Sequence, residues 1–167
     1  WRLKLEGVDV GDRFAPLAAA WERSAEDAFY SFNDLHAIMA FVGAGRIVDA
    51  QRTLKAMRHA AVGSGDNAYM TGNIGLPAAE AFVAFEAGRY TECVEKIAAA
   101  RPLAQRFGGS HAQRDVLTLT ALHAAIKGGL TTTAEAFAAE RLAHKPQSPW
   151  AGRLARQVLG LKEKAAA

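Results

Sequence analysis

The chain contains one short turn sequence twice. Ala44-Gly45-Arg46 recurs as Ala87-Gly88-Arg89, 43 residues later, and Gly128-Gly129 forms a weaker third copy. Both full copies follow an apolar run and precede an amphipathic run. A repeat near this length is typical of stacked helical hairpins, in which neighbouring hairpins cover each other's apolar faces. The pattern therefore predicts an all-α fold, a tetratricopeptide-like helical-hairpin solenoid of about seven to eight helices.

Apolar positions recur with helical spacing along the chain, and no stretch alternates as a β-strand does. Pro102 should end or kink its helix. The fourth helix could start anywhere from Asp66 to Gly75, but Gly72, Gly75 and Pro77 favour a loop or irregular turn there, with a firm helix only from Pro77. The middle six predicted helices pair into three hairpins, flanked by the first and last. The predicted helices are Asp12–Asp27, Ser31–Gly43, Ile47–Val62, Pro77–Gly88, Thr91–Phe107, Ser110–Lys127, Thr132–His144 and Ser148–Lys162.

Length and composition indicate one domain. The 167 residues are enough for a real core, so we treat 1–167 as a single helical-repeat domain. Because the chain begins with Trp1, we expect a fragment or a processed chain. No apolar run approaches the roughly 20 residues that span a bilayer, so we expect no membrane partner. Cys93 is the only cysteine, which favours a buried, inert thiol and a cytoplasmic location.

Charge is distributed unevenly along the chain. Residues 1–100 carry ten Lys and Arg against thirteen Asp and Glu, whereas residues 101–167 carry ten against four. This asymmetry permits an acidic partner for the C-terminal half, although a solvated face of outer helices explains it better. The basic residues are scattered and no aromatic residues are interleaved with them, so we expect no nucleic acid partner.

Two segments carry more polar side chains than a plain solenoid needs. They are Phe32–His36 and Gly108–Asp115. Helical spacing places Asp115 on a buried stripe, so its partner should come from His111 or from another helix. A functional interpretation makes the two segments one site on the concave face, suited to acid/base work or to holding a carboxylate or phosphate. Its candidate ligand-binding residues are Asn33, Asp34, His36, Gln113, Arg114 and Asp115.

A structural interpretation of the same residues stays open. In it, Asn33 and Asp115 cap helices while Arg114 ties neighbouring hairpins together. Ser31 is the alternative cap for its helix. The chain lacks HExxH, GxSxG, P-loop and GxGxxG motifs, so we predict no cofactor. The spacing of the histidines and carboxylates also supports no metal site.

Several strings of the chain resemble the C-terminal part of the tetratricopeptide repeat protein 38 family. The resemblance extends from Trp1 to about Pro149 and departs at His111 and Leu117, where we expect Asn and Phe. It implies a tetratricopeptide-like fold and a missing N-terminal half that would itself be a partner. It implies no reaction, so no catalytic residues are carried over. The matching strings are Trp1-Arg2-Leu3 leading through Gly7-Val8-Asp9-Val10-Gly11, Phe32-Asn33-Asp34-x-His36, Gly75-Leu76-Pro77, Gly108-Gly109-Ser110-x-Ala112-Gln113-Arg114-Asp115-Val116 and Glu140-Arg141-x4-Pro146-x-Ser148-Pro149.

The sequence leaves three functions open. The preferred one is a helical repeat scaffold that binds a peptide or protein partner on its concave face. The second is an enzyme or small-molecule binder whose polar site lies around Phe32–His36 and Gln113–Asp115. The third is a structural oligomerisation module. A scaffold predicts an extended open groove, whereas a binder or enzyme predicts one pocket that both segments share.

Overall fold

The structure is a computed structural model that describes residues 1–166, with the side chains of residues 1–163. Every regular element within this range is helical, which confirms the all-α prediction. The count exceeds seven to eight because two short helices, α1 and α5, were not predicted. Ala167, the last residue of the predicted domain, lies outside the described residues. The helices are α1 (Arg2–Leu5), α2 (Phe14–Trp21), α3 (Ser31–Gly43), α4 (Ile47–Ala61), α5 (Asp66–Met70), α6 (Leu76–Glu86), α7 (Tyr90–Ala100), α8 (His111–Lys127), α9 (Thr131–His144) and α10 (Pro149–Ala166).

Three hairpins, α3/α4, α6/α7 and α8/α9, share one turn geometry. In each turn a glycine adopts a positive φ, 71° at Gly45, 73° at Gly88 and 67° at Gly129. The amide of the following residue donates to a carbonyl five residues earlier, at 2.8 to 2.9 Å. This is the Schellman arrangement that ends many helices, and only glycine adopts the left-handed conformation at little cost. The repeated sequence is therefore a repeated helix stop.

The two arginine-containing turns are alike in their side chains as well. Arg46 donates from Nε to Asp49 at 2.7 Å, and Arg89 donates from Nε to Glu92 at the same distance. Each arginine thus holds an acidic residue in the first turn of the next helix, where a negative charge is favoured. Leu130 occupies the equivalent position in the third turn, which accounts for the weaker sequence match.

The first helices of the hairpins pack side by side, α3 against α6 and α6 against α8. α2 covers one side of this row on α3, and α10 lies against α9 at the other end. Alanines such as Ala84 and Ala124 are completely buried, which allows close helix approach. Phe41 of α3 and Phe82 of α6 are the largest fully buried side chains of the core. Within the described residues, no helix combines the length and apolarity needed to cross a bilayer.

The stretch from Asp66 to Gly75 is helical, so the helix begins at the earliest of the predicted starts and the favoured loop is wrong; the irregularity is a turn within the helix. α5 continues through a π-helical turn, Thr71–Gly75, into α6. Pro77 lacks an amide, and its ring would clash with the carbonyl four residues earlier in a regular α-helix. The wider π turn ends two residues before the proline and includes the residue four positions before it, so the chain passes Pro77 without a break. In contrast, α7 ends at Ala100 and a 3₁₀ segment, Arg101–Phe107, follows, as Pro102 predicted.

The N-terminal prediction was too long at both ends. The expected helix Asp12–Asp27 is reduced to α2 and a 3₁₀ segment, Glu22–Ser24. α1 was not predicted, because four residues carry too little periodicity. It is positioned by distant contacts with α8: Trp1 donates from Nε1 to Thr120 Oγ1 at 3.0 Å. His123 of α8 is buried, and its Nε2 lies 3.2 Å from Glu6 Oε1.

Candidate functional site

A cavity of about 220 Å³ lies between α3 and α8. The two polar segments singled out in the sequence both contribute to it, although about 80 residues separate them. The volume is below the roughly 300–1,000 Å³ typical of pockets for drug-sized ligands, so the cavity has room for a small molecule only. Its walls are mostly apolar, built from Phe32, Leu35, Met39, Phe82, Phe107, Val116 and Leu117. Its polar side chains are Arg2, His36, Gln113 and Arg114.

Aromatic packing fixes the wall formed by Phe32. Its ring centroid lies 5.4 Å from that of Phe107 in an edge-on arrangement, and 4.5 Å from that of His36. Phe82, on the opposite side, is held edge-on by Trp1 at 4.8 Å. Such pairs stabilise one orientation of each ring beyond simple burial. The cavity is therefore pre-formed by rings from distant parts of the chain.

Two consecutive glycines let α8 begin close to Phe32. Gly108 and Gly109 both have positive φ, 97° and 74°. A Cβ on Gly109 would lie only 2.5 Å from the Phe32 ring. Ser110 then caps α8, because its Oγ accepts from the Gln113 amide while Gln113 Oε1 accepts from the Ser110 amide. The first turn of α8 is thereby held against the cavity with Gln113 committed to the cap.

His36 presents one defined nitrogen to a ligand. Its Nδ1 lies 2.7 Å from the carbonyl oxygen of Phe32, one turn earlier on α3. A carbonyl oxygen only accepts, so Nδ1 is the donor in this bond. In the neutral imidazole Nε2 is then an acceptor. His36 can therefore accept a hydrogen bond from a ligand hydroxyl or amide.

Arg114 brings a positive charge to the rim of the cavity. It donates to the carbonyl oxygens of Gly108, at 3.2 Å, and Gly109. Its other terminal nitrogen lies 3.3 Å from His111 Nδ1, which accepts. Among the described side chains, no carboxylate lies within ion-pair distance of Arg114. The guanidinium is thus oriented by neutral groups and its charge is uncompensated.

Asp115 belongs to an ion-pair cluster beside the cavity and does not line it. Arg141 donates to both of its oxygens, at 2.9 and 3.2 Å, with Arg2 at 3.3 Å and Lys145 at 3.4 Å. Burial alone raises the pKa of Asp115, but the hydrogen bonds from Arg141 and the three positive charges outweigh it and lower that pKa. Of the two predicted sources for its partner, another helix supplies it. His111 is exposed and contacts Arg114 instead.

Asp34 and Asn33 also lie outside the cavity. Asp34 is only 6% exposed, and its Oδ2 has no hydrogen-bond partner. Burial, and secondarily the charge of Asp27, raises the pKa of Asp34 to about 6. Asn33 is exposed. The cap residue of α3 is Tyr30, with no side-chain cap bond, so the prediction of a Ser31 or Asn33 cap is wrong.

The structure thus brings three of the six candidate residues, His36, Gln113 and Arg114, to one cavity. It places the other three outside it. The sequence interpretation missed Arg2 and the apolar walls, because apolar residues at helical spacing are indistinguishable from ordinary core positions. The doubled glycine at 108–109 is the one sequence signal that corresponds to the cavity wall, because Gly109 lets α8 begin close to Phe32. Among the described residues, no three His, Cys, Asp or Glu side chains group as metal ligands.

No protein-family model matches this chain. No solved structure matches it with statistical significance.

Proposed function

We propose that this chain binds a small amphiphilic molecule, with its apolar body in the cavity and an anionic head beside Arg114. One observation carries the proposal: a mostly apolar cavity has an oriented cation without a carboxylate partner at its rim. Apolar walls supply binding energy that grows with buried area. An arginine fork supplies direction, since its two parallel donors match a carboxylate or phosphate.

The repeated turns and the position of the matching strings also support a proposal about fold and family. We propose that the chain is tetratricopeptide-like and is the C-terminal part of a member of the tetratricopeptide repeat protein 38 family. Three like turns support the repeat, and the two most specific strings of the resemblance both contribute to the cavity. A cytoplasmic location, which the single cysteine favours, stays a prediction.

Binding of straight-chain alkanoates, from butanoate to dodecanoate, tests the proposed function by calorimetry. Each methylene that enters the cavity should contribute about 0.8 kcal/mol, an increase of about fourfold in affinity. The increase should stop once the cavity is full. Uncharged 1-octanol should bind more weakly than octanoate, because it forms no ion pair with Arg114. A folded chain that binds no member of the series would contradict the proposal.

Two variants localise that binding. Val116→Phe fills the cavity and should lower octanoate affinity at least tenfold, whereas Val62→Phe, at an exposed valine after α4, should not. Arg114→Gln should remove the preference for octanoate over octanol, and Arg114→Lys should retain part of it. Thermal unfolding of each variant shows whether the fold is intact.

A second candidate function is the scaffold that binds a peptide or protein partner. Ile47 and Val48 favour it, since they are 45% and 75% exposed side by side at the start of α4. The missing N-terminal half of the same protein is the partner the resemblance implies. Val48→Asp should weaken binding of that half, expressed separately, and leave octanoate binding intact. Equal affinity of the wild type and the Val48→Asp variant for the N-terminal half would contradict this candidate function.

A further inference from the structure

A groove of about 720 Å³, bordered by several charged side chains, opens beside the cavity. The two share Ala112 and Arg114, at the first turn of α8. The groove continues past Arg101, Asp115 and Lys145 towards the end of α9. A ligand whose apolar part fills the cavity would therefore have its head group at the entrance to this groove.

The residues that line and border the groove carry more positive charge than their acidic partners neutralise. Arg114 and Lys145 line the groove, whereas Arg2 and Arg141 lie beside it. Arg2, Arg141 and Lys145 all pair with one carboxylate, that of Asp115. Arg114 adds a fourth cation with no acidic partner. Arg101 is separately balanced by Glu140, at 2.8 Å. Within the described part of the chain, three cations thus share one carboxylate and Arg114 pairs with none, which leaves an excess that a single carboxylate head group would only partly offset.

We infer that the ligand's head group is a phosphate monoester that lies in this groove against Arg114 and Lys145. A phosphate monoester carries about −1.5 to −2 charge at neutral pH and three strong acceptor oxygens, twice the charge of a carboxylate or nearly so. Three of the five N–H groups of Arg114 already donate to Gly108, Gly109 and His111, so Nε and the second hydrogen of Nη2 are its donors to the phosphate. Lys145, which is half exposed, adds a flexible point charge. This inference rests on the proposed function, because it assumes an apolar body in the cavity.

Substitution of Lys145 distinguishes the phosphate head group in the groove from the proposed binding of an apolar body in the cavity. It lines the groove and does not line the cavity. The contact between Lys145 and Asp115, at 3.4 Å, is the longest in the cluster. Replacing Lys145 therefore leaves the two hydrogen bonds from Arg141 to Asp115 in place. Lys55 offers a matched control, since it is an exposed lysine on α4 with no ion pair among the described side chains.

The test compares octyl phosphate, octanoate and inorganic phosphate by calorimetry on the full chain. Octyl phosphate should bind at least tenfold more tightly than octanoate. Lys145→Gln should reduce that affinity ratio at least fivefold, and Lys55→Gln should not change it. Inorganic phosphate should bind at least a hundredfold more weakly than octyl phosphate, because the apolar body anchors the head group. Thermal unfolding checks that both variants fold.

Three outcomes overturn the inference and differ in what they say of the proposed function. Equal affinities for octyl phosphate and octanoate would overturn the phosphate head group alone. A tenfold preference that Lys145→Gln leaves unchanged would overturn its placement in the groove. No binding of either amphiphile would overturn the proposed function as well.

Discussion

Asp115 of α8 and Arg141 of α9 are joined by two hydrogen bonds, of 2.9 and 3.2 Å. Arg141 is only 5% exposed, and its guanidinium lies 5.0 Å from the ring centre of Trp150. Because Arg2 also reaches Asp115, this carboxylate connects α1, α8 and α9. Asp115 directly follows Arg114 in the chain, so the cluster holds in place the turn of α8 that borders both the cavity and the groove.

Asp115→Asn should destabilise the fold by about 2–4 kcal/mol, since it leaves Arg141 buried without its counter-charge. Urea unfolding at pH 7 measures the change. Because the folded pKa is lowered, the native contribution of Asp115 is present above the ordinary pKa of 3.8 and is lost as pH falls through the folded pKa. Glu92→Gln, which breaks the exposed pair with Arg89, should cost less than about 0.5 kcal/mol. Equal effects of the two substitutions would contradict this role.

Asp34→Asn should stabilise the fold at neutral pH, and the gain should disappear in acid. The folded pKa of Asp34, about 6, lies above its ordinary value of 3.8, so the folded chain binds the proton more tightly between these values. The contribution of Asp34 to stability therefore falls as pH rises through this window, by at most about 3 kcal/mol. The difference in unfolding free energy between wild type and variant, measured from pH 4 to pH 7.5, checks this.

Asp66→Asn, at an exposed carboxylate in the first turn of α5, is the control for that titration. Its difference from wild type should stay nearly constant across the window. A flat curve for Asp34→Asn would show that the buried carboxylate carries no penalty.

Cys93 should be unreactive in the native protein. Burial, and secondarily the charge of Glu92, raises the pKa of its thiol to about 12, and the thiolate is the nucleophile. Iodoacetamide at pH 8 should label the chain slowly in buffer and rapidly in concentrated urea. Fast native labelling would mean that α7 opens readily or that the thiol is accessible.

Glycine-to-alanine substitutions at two sites should have opposite signs. Gly88→Ala should destabilise the chain by about 1–2 kcal/mol, because alanine resists the left-handed conformation at a φ of 73°. Gly160→Ala should stabilise it by about 0.5–1 kcal/mol, since this glycine lies within α10 with open space around its Cβ position. Thermal unfolding compares them. A Gly88→Ala variant as stable as wild type would argue against the turn geometry described for Gly88, and destabilisation by Gly160→Ala would argue against open space at that position of α10.

Local signals explain what the sequence could predict. The turn glycines at 45 and 88 and the break at Pro102 depend on conformational limits of single residues, so they were predicted correctly. The π turn before Pro77 was not, because its cause lies in how a helix adapts around a proline. The partner of Asp115 lies 26 residues away on another helix, and helical spacing within α8 carries no information about it.

The site was predictable only in part for the same reason. His36 and Arg114 stood out because polar groups interrupted an apolar pattern. The cavity itself is formed where Phe82, Phe107 and Leu117 leave a gap, and gaps between distant helices have no sequence signature. Asp34 interrupted the pattern equally and proved to be buried outside the cavity.

Crystals of the chain grown with 8-bromooctanoate test the central claim most directly, because anomalous scattering locates bromine independently of interpretation. The account predicts one bromine peak inside the cavity, within contact distance of Leu35, Met39 and Phe82, and a carboxylate at Arg114. Bromine peaks only on the outer surface, with the cavity empty at saturating ligand, would contradict it.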